Sequence, residues 1–195
     1  RKEPGVMLYS HNVLIQEYCT ELLPDWLNYI DGVVDSEDLP LNVSRETVQQ
    51  SRIMRQLART VRKRVLKDLN LLAENEPEKY ADFWHEFSRS FKEGLATDPM
   101  AKDEILPYLR YVSSHSDGKL TSLDEYIERM PDSQEEIYYV LGDDEQSVGR
   151  SPHLDPFKAH DLEVLYWIDP LDAFLAPMMQ EYKEKKLRNI DDASL

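Results

Sequence analysis

The chain has 195 residues, 41% hydrophobic and 31% charged, with a formal net charge of −15. That length buries a real core in one large domain or two small ones, and the balance is that of a soluble globular protein. No apolar run approaches the roughly 18 residues of a membrane span, the single Cys19 excludes an internal disulfide and fits a reducing compartment, and the bulk charge disfavours nucleic acid and anionic membrane as partners.

The chain opens on "RKEPGVMLY" without an initiator methionine, as expected of a segment of something longer. Residues 5–16, "GVMLYSHNVLIQ", are rich in Val, Leu, Ile and Tyr and read as a strand. A turn stopped by Pro24 leads to a second extended segment, "DWLNYIDGVVD", anchored by Trp26, Tyr29, Val33 and Val34, with Gly32 as a bulge. The loop "SEDLP" follows, and then a long helix capped by Asn42 or Ser44. Its apolar positions are Val48, Ile53, Leu57, Val61, Val65, Leu69 and Leu72. Arg52, Arg55, Arg59, Arg62 and Lys63 occupy most of the remainder, and from Arg45 to Lys67 eight basic residues stand against one acid, Glu46, a balance of +7.

A second helix, "EPEKYADFWHEFSRSFKEGL", aligns Tyr80, Phe83, Trp84, Phe87 and Phe91 in an aromatic stripe expected in the core, and Pro99–Tyr108 reads as a third. From Leu109 the texture changes. The strand-like runs "LRYVSS", "EEIYYVLG", "LEVLYWID" and "KLRNID" alternate with the helical stretches "SLDEYIERM", "DDEQSVGRS", "PHLDPFKAH" and "LDAFLAPMMQEY". That alternation predicts an α/β fold with a small, largely parallel sheet covered by helices. The expected organisation has three pieces: residues 1–40, the end of a first α/β subdomain; 41–108, a loop and helical connector; and 109–195, a small α/β subdomain.

Most catalytic chemistries find no footing in these residues. No glycine-rich dinucleotide or P-loop fingerprint occurs, and Asp143 and Asp144 after Gly142 repel a phosphate there. The five histidines show no i, i+4 ligand spacing, so a metal site is not expected. Ser151 and His153 lack a nucleophile elbow. Arg45 has two readings: a solvated residue in a helix's first turn, or a guanidinium held at a helix start to meet a phosphate, with Gln49 one turn on.

The stretch "GVVDSEDLPLNVSRETVQQ" resembles the catalytic-loop signature of the heat-shock protein 90 chaperone family's middle domain. "LTSLDEYIERMPDSQEEIYYVLGD" and "SPHLDPFKAHDLEVLYWIDPLD" resemble two further signatures of that domain, in the same order. "LYSHNVLI" is closer to the bacterial or organellar members. Departures fall at Ala173 and Glu184, where the family usually has Glu and Gly.

The resemblance implies a middle-domain segment of an ATP-dependent chaperone. It implies that Arg45 contacts the γ-phosphate of ATP, bound with Mg by a separate N-terminal domain, that Gln49 makes a second polar contact, and that Asn42 and Ser44 shape the loop. Partners so implied are that N-terminal domain, client proteins and, through a C-terminal domain, a second copy of the parent. The parent would be an ATPase in the cytoplasm or an organelle, and this segment alone inactive. Phe174 and Met178, with Leu14 on the first subdomain, are expected to face unfolded clients. The alternative is a non-catalytic interaction module whose basic helix binds an acidic partner.

Overall fold

The computed structural model describes residues 3–39 and 52–193, which fall into two compact units, Arg1–His85 and Glu86–Leu195. The architecture is mixed α/β, with a three-stranded and a five-stranded sheet.

In the first unit β1 (Val6–Ser10) and β2 (Val13–Cys19) form an antiparallel hairpin, and β3 (Val33–Asp35) pairs parallel with β1. The single strand expected over residues 5–16 is therefore two. His11 and Asn12 both take positive φ, 48° and 64°, the backbone of a two-residue hairpin turn. The second expected strand is likewise shorter. Pro24 starts a 3-10 turn at Asp25–Leu27, which buries the adjacent Trp26 and Leu27, and only Val33–Asp35 remains extended. Gly32 forms no bulge; its carbonyl accepts from the Met7 amide at 3.0 Å, just before β3.

Helix α1 (Arg52–Asn75) runs 24 residues, and α2 (Pro77–Thr97) begins two residues after it ends. Pro77 has no N–H to continue the α1 ladder but suits a helical first turn. The boundary between the units falls inside α2. Of the aromatic stripe, Tyr80, Trp84 and Phe91 are buried, and Phe83 and Phe87 half-buried.

The second unit opens with a broken helix in place of the continuous one expected over 99–108. A 3-10 turn at Pro99–Ala101, the short α3 (Lys102–Ile105) and another 3-10 turn at Leu106–Tyr108 follow one another, with Pro107 interrupting the ladder. The sheet comprises β4 (Val112–Ser113), β5 (Glu136–Leu141), β6 (Val164–Trp167), β7 (Glu181–Tyr182) and β8 (Lys185–Asn189), in the order β4-β6-β5-β8-β7. The inner strands β6, β5 and β8 are parallel, while β4 and β7 join antiparallel at the edges. Helices α4 (Leu123–Arg129), α5 (Glu145–Gly149), α6 (Asp155–Ala159) and α7 (Pro170–Leu175) punctuate it.

All four residues of β6 are buried, as an inner parallel strand requires. Val164 and Tyr166 pack with Val148, Leu154 and Phe157, while Trp167 stacks on Tyr139 at 3.7 Å. Gly142 serves this packing: a Cβ there would lie 2.1 Å from Val148 Cγ2. The helix expected through Tyr182 stops at Leu175. Pro177 turns Ala176–Met178 into a 3-10 segment, and Glu181 and Tyr182 become an edge strand.

Candidate functional site

Asn42, Ser44, Arg45 and Gln49 lie outside the described residues. Leu39 is 2% exposed and Met54, in the first turn described of α1, is also 2% exposed; both belong to one cluster with Val6, Leu8, Cys19 and Leu22. The hydroxyl of Ser10, the end of β1, donates to the carbonyl of Leu39 across 29 positions of sequence. The chain thus enters and leaves residues 40–51 from a single apolar core under the three-stranded sheet. Burial pushes the Cys19 thiol in this cluster up to about 12, so it is an inert core residue.

On α1 the apolar residues Met54, Leu57 and Ala58 face this cluster, and the basic residues gather on the opposite face. Arg52, Arg55, Arg59 and Lys63 are exposed, while Arg62 is half-buried with its guanidinium 6.0 Å from the Trp26 ring. Arg64 pairs with Asp68 one turn on, at 3.2 Å.

Phe174 is 61% exposed, Met178 38% and Leu14 45%. Phe174 and Met178 belong to the second unit and Leu14 to the first. Their immediate neighbours Leu175 and Met179 are buried at 1% and 2%, so one face of this segment packs and the other is open.

Sequence reasoning missed Lys92, Asp169 and Asp172. Lys92 Nζ lies 3.0 Å from Asp169 Oδ2 and 3.0 Å from Asp172 Oδ1, with the Lys92 and Asp172 side chains almost wholly buried. Burial raises the Asp172 carboxyl above its ordinary value, against the pull of Lys92. Burial acts the same way on Asp169, but the Leu171 amide and the Lys92 ammonium outweigh it and leave that carboxyl lowered. A signal existed: Lys92 follows Trp84 by eight residues and precedes Leu95 by three, which puts a charge on the buried stripe of α2. Glu163 was missed as well. Buried before β6, it accepts two bonds of 2.9 Å from Arg129 and one from the Ser113 hydroxyl.

Among the described residues no group of three or more His, Cys, Asp or Glu is placed to hold a metal ion. No described helix is long and apolar enough to cross a membrane.

A family model described as Hsp90 protein matches residues 1–195. The chain belongs to the Hsp90 family. Among its relatives is the chaperone protein HtpG of Desulfitobacterium hafniense, 45% identical over 196 residues, covering 100% of this chain and 32% of the relative. HtpG of Myxococcus xanthus is 43% identical, over 100% of this chain and 30% of its own length. HtpG of Halorhodospira halophila is 43% identical, over 98% and 30%. The chain spans about a third of the length of the curated relatives it matches. In the turn between β7 and β8, Lys183 and Glu184 take φ of 46° and 67°, a backbone that glycine adopts without strain.

Proposed function

We propose that this chain is the middle segment of an ATP-dependent chaperone that binds unfolded or partly folded proteins. In this reading Arg45 reaches the γ-phosphate of ATP held with Mg by a preceding domain of the same protein, and Gln49 adds a second polar contact. ATP supplies the phosphoryl group, and the guanidinium supplies a fixed positive charge and a planar fork for its oxygens. Asn42 and Ser44 shape the loop that carries them. Phe174, Met178 and Leu14 offer apolar surface to clients, the flexible methionine adapting to varied sequences. The parent works in the bacterial cytoplasm as a homodimer joined outside this chain.

The observation that carries the reading is the common anchoring of Leu39 and Met54, which ties both sides of the Arg45 segment to one core. A group meant to meet an anion in another domain needs a rigid base. Membership of the Hsp90 family supports the chaperone role.

The test adds this chain, as wild type or Arg45→Ala, to the separately purified nucleotide-binding segment of the same protein and follows ATP turnover. Stimulation by wild type alone is expected. Equal stimulation by both would make Arg45 structural.

The exposed stripe of Arg52, Arg55, Arg59 and Lys63 favours a second reading, an interaction module whose basic face meets an acidic protein. Charge reversal at Arg59 and Lys63 would then abolish partner binding and leave turnover intact.

A further inference from the structure

The segment from Asp169 to Met179 is held at both ends and open in the middle. At its start Asp169 and Asp172 form a reciprocal cap on α7: the Asp169 carboxylate accepts from the Leu171 amide at 2.9 Å, and Asp172 accepts from the Asp169 amide at 3.1 Å. Both carboxylates also meet Lys92 Nζ from α2. At its end the Tyr111 hydroxyl lies 3.8 Å from the Met179 sulfur. The Tyr111 ring also lies 5.7 Å from Lys92 Nζ and stacks on Trp167 at 5.4 Å. One cation and one aromatic ring, themselves in contact, therefore form the floor on which this segment sits.

Between those anchors the segment turns two side chains inward and two outward, each pair four residues apart. Leu175 and Met179 are buried, Phe174 and Met178 exposed. α7 has only six residues and breaks at Pro177, so its own hydrogen bonds do little to fix its orientation. The ion triad supplies what the short helix lacks. A buried ammonium shared by two carboxylates is a poor source of net stability compared with apolar packing, but it specifies one geometry.

We propose that Lys92 is the positioning residue of the Phe174–Met178 surface: by holding Asp169 and Asp172 together it sets the orientation in which these apolar side chains face an unfolded polypeptide. The proposal rests on the reading of that surface as client-binding. Lys92 itself touches no client; it acts through α7.

The test uses the full-length protein and a permanently unfolded probe, reduced and carboxymethylated α-lactalbumin. Affinity for the probe is measured alongside hydrogen exchange of the amides from Leu171 to Met179 and of those in β5 and β6. Lys92→Met removes the cation that both carboxylates share, leaving Asp169 only the electrostatic pull of Arg89. It is expected to weaken binding by about 10-fold, equivalent to about 1.4 kcal/mol, and to speed exchange over Leu171–Met179 while β5 and β6 stay protected. The neutral combination Lys92→Met, Asp169→Asn, Asp172→Asn removes the unpaired charges together with the triad; a positioning role predicts that β5 and β6 stay protected while binding remains weakened and exchange over Leu171–Met179 remains fast. Restoration of both readouts in that variant would trace the loss to unpaired buried charge and would overturn the positioning role.

Should Lys92→Met also strip protection from β5, Asp169→Asn, which keeps the Lys92–Asp172 pair, provides the milder variant with the same expected pattern. Wild-type affinity and exchange in Lys92→Met would overturn the proposal, as would faster exchange with unchanged affinity. Phe174→Ala separates client binding from the anchoring of α7. If it binds the probe as wild type does, the client-surface reading fails, and with it the role assigned to Lys92 in binding; the exchange data then still report whether Lys92 anchors α7.

Discussion

The two units keep their shape with different chemistry. Among the described residues of the first, Ser10 is the buried polar side chain, and the rest of the core is aliphatic, aromatic, Met54 or Cys19. The second buries Lys92, Ser113, Thr121, Ser122, Gln134, Glu163 and Asp172, joined in networks that run between elements far apart in sequence. Apolar contacts are non-directional and tolerate small shifts. A buried carboxylate with a bidentate arginine does not, because its partners must stay in place. The first unit thus relies on a plain apolar core that takes in both Leu39 and Met54. The second uses directional bonds to hold short helices that have little stability of their own.

Arg129→Ala leaves the Glu163 carboxylate buried without its bidentate partner and is expected to cost about 3–5 kcal/mol. Chemical denaturation followed by hydrogen exchange should place the loss in β4, β6 and α4. In the first unit Leu39→Ala opens a cavity in the cluster shared with Met54 and should cost about 2–4 kcal/mol, with the loss read as faster exchange in β1.

Cys19 reports on that same cluster without a substitution. Its thiol, pushed up to about 12, should resist iodoacetamide at pH 8 in the native chain and react once the chain is unfolded in urea. Rapid native alkylation would show that the cluster opens readily. The smallest effect is a gain. Glu184→Gly relieves a left-handed residue in the β7–β8 turn and should add about 1 kcal/mol, measured as a higher midpoint of unfolding.

Much of this was legible from patterns of spacing. The long amphipathic helix, the aromatic stripe of α2 and the parallel core of the second unit follow from apolar periodicity and from β/α alternation. Element ends were less legible, because they depend on local backbone chemistry. His11–Asn12 turns one expected strand into a hairpin, and Pro177 cuts an expected helix to six residues. Phe174, Met178 and Leu14 are exposed; their role is a proposal, as is that of Arg45, Gln49, Asn42 and Ser44. Lys92 and Glu163 escaped notice because a charge inside an apolar pattern becomes meaningful only when its distant partner is known. Asp169 and Glu163 lie 77 and 34 residues from Lys92 and Arg129 respectively.

In the proposed function, one arginine of this chain completes chemistry begun in another part of the protein. The most direct measurement is steady-state ATP turnover by the full-length protein carrying Arg45→Ala, at saturating nucleotide. Loss of an arginine that stabilises the transferring phosphoryl group predicts a fall of about 10³-fold or more, with ATP binding retained. Turnover at the wild-type rate would contradict the account and leave Arg45 as the first solvated turn of a helix.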